Sequence, residues 1–110
     1  MIQLQRDTRI LLATHPVDFR KGIDGLAAVC KETLRQDERS GSYFVFINQS
    51  RTMIRVLAYD GSGFWLMTKR LSQGKFRGWP TCSSNIDSVD AKHLRALLSG
   101  AEFSALQSVA

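Results

Sequence analysis

Cationic and aromatic side chains are interleaved in the second half of the chain, as they are on many nucleic-acid-binding surfaces. Lys and Arg contact phosphate oxygens, and exposed rings stack on unpaired bases. The alternative is that the rings belong to the core and only the cations face solvent. The cations are Arg55, Lys69, Arg70, Lys75 and Arg77, and the rings are Tyr59, Trp65, Phe76 and Trp79.

A second group of cations, Arg20 and Lys21, precedes a predicted helix in the sequence VDFRKGIDGL. Two cations at this position could bind a phosphate or an acidic partner. Alternatively, Arg20 pairs with Asp18 or Asp24 and holds the loop at the start of the helix. The flanking carboxylates favour the ion pair over the binding site.

Three carboxylates are candidates for metal-dependent chemistry, but their spacing does not group them. A nuclease site needs two or three carboxylates that converge on Mg²⁺. Helix capping or turn formation explains Asp18, Asp24 and Asp60 individually. We therefore expect no metal, no cofactor, no small-molecule substrate and no enzymatic activity, and a metal-dependent nuclease is the less favoured alternative.

The histidines and cysteines do not have the spacing of a zinc site. Cys30 lies on the apolar side of a predicted helix, which indicates a small buried hydrophobic residue. Cys82 falls in a predicted loop. We expect no disulfide between them, because the opening residues lack the apolar segment of a secretory signal.

Composition indicates one soluble, basic domain. The 110 residues include 15 Lys and Arg against 10 Asp and Glu, for a net charge of +5. Such a charge attracts polyanions such as DNA, although it also suits an ordinary soluble surface. No apolar run is long enough to span a membrane, so we expect a cytoplasmic protein.

The pattern of apolar residues predicts an α+β fold, with an antiparallel sheet of four to five strands and two flanking helices. We place the domain in residues 1–100 and treat residues 101–110 as a tail, which could be mobile. The predicted strands are Thr8–Ala13, Tyr43–Ile47, Met53–Tyr59 and Gly63–Leu71, with an optional fifth at Lys75–Trp79.

Two helices are predicted from apolar stripes of helical period. In the second, Asp87 or Ser88 would cap the first turn and Gly100 would end the helix. The first stripe consists of Ile23, Leu26, Ala27, Cys30 and Leu34, and the second of Val89, Leu94, Leu97, Leu98 and Ala101.

The strands at Met53–Tyr59 and Gly63–Leu71 are apolar on both faces if the Asp60-Gly61 turn contains an even number of loop residues. One face can be covered by the first helix. The other face needs the C-terminal segment, a second copy of the chain or a partner protein. This observation predicts association, as a homodimer or with a partner. Arg55, Leu57, Tyr59, Phe64 and Leu66 would share one face, and Ile54, Val56, Ala58, Trp65, Met67 and Lys69 the other.

The chain carries a series of short motifs: DFRKGIDGL from Asp18, FVF from Phe44, IRVL from Ile54, DGSG from Asp60, KRL from Lys69, GKF from Gly74 and Trp79-Pro80. In this order and spacing they resemble the accessory proteins of the insertion-sequence 66 family, the TnpB-type or second-reading-frame proteins. The resemblance covers about Arg9 to Gly100. It differs at one point, since such proteins usually carry Phe-x-Trp-Pro and this chain has the additional Gly78, which would permit a bulge.

The resemblance implies a helper of transposition that is encoded beside a larger transposase. We therefore expect a non-enzymatic protein that binds the transposase, the DNA of the element, or both. A nucleic-acid-binding regulator of the element that acts alone is the alternative. The residues expected to contact DNA or a partner protein are Arg20, Lys21, Arg55, Lys69, Arg70, Lys75, Arg77 and Trp79.

Overall fold

A computed structural model describes residues 8–81 and 83–99 of the chain. The predictions for Cys82, Gly100 and the tail at 101–110 lie outside the described residues. Within them the chain forms strand β1 (Ile10–Ala13), a 3-10 helix (Phe19–Lys21), helix α1 (Gly22–Glu32), strands β2 (Tyr43–Ile47), β3 (Met53–Tyr59), β4 (Phe64–Arg70) and β5 (Ile86–Val89), and helix α2 (Ala91–Leu98).

The five strands form one sheet in the order β4-β3-β2-β1-β5. Strands β1 and β2 pair in parallel and are connected through α1, whereas the other neighbours pair antiparallel. The predicted α+β fold with a mainly antiparallel sheet and two helices is confirmed. In the described part of the chain, no helix has the length and apolar character needed to cross a membrane.

The predicted start of the second helix is wrong. Asp87, Ser88 and Val89 lie in β5, which pairs antiparallel with β1. The helix begins after them because the Asp90 carboxylate accepts a hydrogen bond from the His93 backbone N–H at 2.8 Å, an N-cap that satisfies a free donor of the first turn.

The β2–β4 meander has the predicted register. The Asp60 N–H donates to the Gly63 carbonyl at 3.1 Å, so the turn contains two residues. Ala58 lies opposite Trp65 and Leu57 opposite Leu66, which places these side chains on the predicted faces. The optional strand at Lys75–Trp79 is absent, since that segment has no regular secondary structure.

The chain covers both faces of its own sheet. On the first face α1 packs over a core cluster, in which Ile23 takes little part because it is 37% exposed. The segment 76–80 and α2 pack over the second face. Of the three covers considered for that face, the C-terminal segment supplies it, and the apolar faces give no reason to expect a dimer. The α1 face contains Leu11, Ala13, Phe19, Leu26, Cys30, Leu34, Phe44, Phe46 and Leu57, and the α2 face Ile10, Leu12, Tyr43, Val45, Ile47, Ile54, Val56, Ala58, Phe76, Trp79, Leu94 and Leu97.

Candidate nucleic-acid interface

Arg20 forms an ion pair with Asp18. The Asp18 carboxylate accepts hydrogen bonds from the Arg20 backbone N–H at 2.9 Å, from Nε at 3.1 Å and from Nη2 at 2.9 Å. These hydrogen bonds lower the pKa of Asp18 to about 2. The ion pair gives Arg20 a structural role at the start of the helix, although its side chain remains 91% exposed.

The glycines beside this ion pair are required by the backbone. Gly22 joins the 3-10 helix to α1 with a φ of 69°, a left-handed conformation that side chains disfavour. A Cβ added at Gly25 would lie 2.3 Å from the Cβ of Lys21. The motif therefore shapes the start of α1, and it leaves Lys21 exposed on the surface.

Arg55 connects the 3-10 helix to the sheet and is used mainly within the protein. Its Nε donates to the Thr68 hydroxyl at 3.1 Å, and Nη1 donates to the Phe19 carbonyl. The guanidinium also lies 4.8 Å from the centre of the Phe19 ring, a cation–π contact. Arg55 and Arg20 line the same open cleft, with a volume of about 660 Å³, but their groups are already engaged.

The loop between β2 and β3 is organised by Asn48. Its side-chain oxygen accepts from the backbone N–H groups of Thr52 at 2.9 Å and Met53 at 3.0 Å. The loop in turn holds the segment after β4, because the Arg51 carbonyl accepts from the Phe76 N–H at 2.7 Å. Sequence analysis missed this role of Asn48, for which the polar sequence NQSRT is the only signal.

The two rings of the GKFRGWP segment are core residues, so the prediction that Trp79 contacts a ligand needs correction. Phe76 is 2% exposed and Trp79 is 6% exposed. The Trp79 indole N–H donates to the Ala13 carbonyl at 3.0 Å. Gly78 has a φ of 73°, and this left-handed residue gives the backbone the turn it needs between the two buried rings. Neither ring is available to stack on a base.

The cations around these rings lie at one end of the sheet, and we call this group of side chains the basic rim. Its cations come from the loop between β2 and β3, the end of β4 and the segment at 75–77. Two hydrogen bonds hold these segments together: the Arg51–Phe76 bond and one from the Leu71 N–H to the Thr52 carbonyl at 3.0 Å. Four of the five rim side chains are exposed, and the fifth, Arg51, is half-buried. The basic rim consists of Arg51, Lys69, Arg70, Lys75 and Arg77.

The sequence that supplies the rim is nearly free of acidic residues, although the fold brings Asp87 of β5 into the same pocket as Gly78, which follows Arg77. Between Arg39 and Ile86 the only acidic residue is Asp60, which lies at the other end of β3 and β4. Within the rim, Lys69 also contacts helix α2, because its ammonium group donates to the Leu98 carbonyl at the end of that helix. That contact suits the negative end of a helix dipole and leaves the charge in place.

Asp60 organises the opposite end of these strands. One carboxylate oxygen accepts from the Ser62 N–H at 2.9 Å and the Gly63 N–H at 3.1 Å, and the other accepts from the Trp65 indole at 2.7 Å. These hydrogen bonds, the one from the Ser62 backbone first, lower the pKa of Asp60 to about 2. Trp65 is held in one orientation although it is 43% exposed.

The remaining chemical candidates do not form a cluster. Among residues 8–81 and 83–99, no group of three or more His, Cys, Asp or Glu side chains could hold a metal ion. Cys30 is fully buried, as predicted, and burial raises the pKa of its thiol to about 12.

Comparison with known proteins identifies the family. The family model described as IS66 Orf2 like protein matches residues 8–108. The chain belongs to this family. It is 45% identical over 76 residues to the uncharacterized protein y4jC of Sinorhizobium fredii, a match that covers 69% of the chain and 65% of y4jC, just under two thirds of that relative. It is 33% identical over 103 residues to y4hO of the same organism, covering 94% of the chain and 89% of y4hO. No solved structure matches significantly.

Proposed function

We propose that this insertion-sequence protein is a non-enzymatic accessory factor that assists transposition by binding the DNA of the element through its basic rim. The observation that carries the proposal is the rim itself. Its cations come from three separate chain segments, and the fold brings them to one end of the sheet. Family membership supplies the setting of a mobile element.

The surroundings of the rim favour contact with the phosphate backbone of duplex DNA. Binding to single strands depends on exposed rings that stack on bases, and the rings closest in sequence to the rim cations, Phe76 and Trp79, are buried. The exposed ring of Trp65 lies at the opposite end of β4. Exposed Lys and Arg without a base-reading element give binding with little sequence preference. Selection of the element's ends would then come from the transposase, which we propose as the partner.

A salt titration of duplex DNA binding tests the proposal. Each phosphate contact contributes about −0.9 to the slope of log K against log salt, so the rim should give a slope of about −4.5 at most. Lys75→Gln with Arg77→Gln should flatten the slope by about 2 and weaken binding equally for all sequences. Lys69→Ala with Arg70→Ala should act in the same direction.

The matched control removes the same charge from the other end of the molecule. Arg9 precedes β1 and Lys92 lies in the first turn of α2, both exposed. Arg9→Gln with Lys92→Gln should leave the slope nearly unchanged if the rim is the contact surface. Equal losses in both double variants would mean that net charge alone attracts the DNA, and the proposal would fail.

Co-purification with the transposase of the same element separates DNA contact from protein contact. If the rim binds DNA, the Lys75→Gln, Arg77→Gln variant should still co-purify with the transposase after nuclease treatment. Loss of the transposase from this variant, with no measurable DNA affinity in the wild type at physiological salt, would instead assign the rim to the protein partner.

A further inference from the structure

Strand β4 is an edge of the sheet and has a neighbour on one side only, β3, among the described residues. The hydrogen bonds at the two ends of this pair, from the Asp60 N–H to the Gly63 carbonyl and from the Leu71 N–H to the Thr52 carbonyl, set the alternation of the ladder. Residues 65, 67 and 69 therefore face β3 with their backbone groups. The N–H and C=O groups of Phe64, Leu66, Thr68 and Arg70 point away from the sheet.

Half of this edge lacks the features that normally prevent pairing. Proteins protect edge strands with Lys, Pro, bulges or short length. Strand β4 has seven residues, and the first four, Phe64–Met67, are apolar: Trp65 is 43% exposed and the other three are partly exposed. The cations Lys69 and Arg70 are confined to the other half. Moreover, the hydrogen bond from Trp65 to Asp60 orders the exposed indole before any partner arrives.

We propose that the edge of β4 binds a second copy of this chain, in an antiparallel pair of β4 strands with Met67 on the two-fold axis. The sequence FWLMTKR is self-complementary in this register. Trp65 lies opposite Lys69 of the second copy, and Phe64 lies opposite Arg70 of the second copy. Leu66 lies opposite Thr68 of the second copy.

The backbone supports this register. Phe64, Leu66, Thr68 and Arg70 carry the outward-pointing groups, and the register pairs them only with one another, so every hydrogen bond of the new ladder has a donor and an acceptor. Trp65 and Lys69 then form a pair without backbone hydrogen bonds, in which opposite side chains approach most closely. Each copy supplies one cation–π contact on each face of the joined sheet.

Other registers lose this match. A shift that centres the axis on Leu66 places Trp65 opposite Met67 and leaves Lys69 opposite Gly63. A shift toward the C-terminal half, with the axis at Lys69, sets Lys69 against its own copy, and like charges directly opposite are destabilising. The register centred on Met67 is the one that pairs both rings with both cations.

Sedimentation across a range of micromolar concentrations tests the dimer. We expect a reversible monomer–dimer equilibrium in the wild type. Trp65→Lys places Lys opposite Lys69 of the second copy at two positions, so it should raise the dimer Kd by about tenfold or more. Adding Lys69→Glu to that variant pairs opposite charges again and should restore much of the dimer. Ser88→Lys, which alters an exposed position of the other edge strand, is the matched control and should have no effect.

A cross-link tests the register directly. In a Cys82→Ser background, Met67→Cys on the axis should form a disulfide-linked dimer under mild oxidation, because facing Cα atoms about 4.5 Å apart suit a disulfide. Trp65→Cys should cross-link far less. A wild type that stays monomeric, or a dimer that Trp65→Lys leaves unchanged, would overturn the proposal. Lys69→Glu is the only one of these changes that alters a cation of the basic rim. Trp65→Lys, Met67→Cys and Ser88→Lys leave all five rim cations in place, and sedimentation is measured without DNA, so failure of the dimer can be distinguished from failure of DNA binding.

Discussion

On one face of the sheet the cover is helix α1, and on the other helix α2 shares the cover with a segment that has no helix or strand. Helix α1 places Leu26 and Cys30 at 0% exposure. The irregular segment reaches the same depth with two rings, Phe76 and Trp79, at 2% and 6%. An irregular segment can thus bury its rings as deeply as a helix does, here with the Phe76 N–H bonded to the Arg51 carbonyl at one end and the Trp79 indole bonded to the Ala13 carbonyl at the other.

The difference between the faces explains which residues remain available for binding. A helix presents one apolar stripe and leaves its other side to solvent. In the irregular segment, buried rings alternate with exposed cations, so Lys75 and Arg77 are directed outward by the burial of Phe76. The core anchor and the proposed DNA contact are therefore parts of the same short sequence.

The largest effect that tests this comparison is expected at the two anchors. Phe76→Ala should lower the free energy of unfolding by about 3–5 kcal/mol, and Leu26→Ala on the helix side by about 2–5 kcal/mol. Urea unfolding of both variants gives the values. If Phe76→Ala costs less than about 1 kcal/mol, the irregular cover yields easily and the two faces are not equivalent.

A smaller effect is expected for the indole of the irregular segment. Trp79→Phe keeps a ring in the core but leaves the Ala13 carbonyl without its donor, at a cost of about 1–3 kcal/mol. Trp65→Phe is the control, since that ring is 43% exposed, and it should cost less. If thermal unfolding shows the same loss of stability in both variants, the buried hydrogen bond of Trp79 contributes no more than the exposed side chain of Trp65 does.

The smallest effect concerns the exposed end of β4, beyond either cover. The folded-state pKa of Asp60 lies below its ordinary value of 3.8, at about 2, so its stabilising contribution is present above pH 3.8 and is lost as pH falls toward 2. Asp60→Asn should therefore be less stable than the wild type near neutral pH, and the difference should shrink through this window. A difference that does not change with pH would mean that the charge of Asp60 is not involved.

Sequence patterns were sufficient where periodicity is strong. The strands Tyr43–Ile47 and Met53–Tyr59 lie where the apolar runs predict them, and the turn at Asp60 has the expected length. They were insufficient for β5. The four residues of IDSV resemble a helix start because Asp87 and Ser88 are good capping residues, and only pairing with β1 makes them a strand.

The candidate site was only partly predictable for a related reason. Lys69, Arg70, Lys75 and Arg77 are exposed as the sequence suggested. Aromatic residues next to cations suit a nucleic-acid surface and a buried anchor equally well, and Trp79 proved to be an anchor. Arg51 was missed because its place in the rim depends on a carbonyl contact with Phe76 across 25 residues of chain, which no local pattern encodes.

The position of β1 between β2 and β5 matters for synthesis of the protein on the ribosome. The strand is made early, yet its neighbours are β2, whose residue Tyr43 pairs with Ile10, and β5, whose residue Val89 pairs with the same position. A nascent chain that has emerged only as far as β4 can form the meander but leaves one side of β1 without a partner. Such an open strand can pair with other chains, so premature termination before Ile86 should yield aggregation-prone fragments.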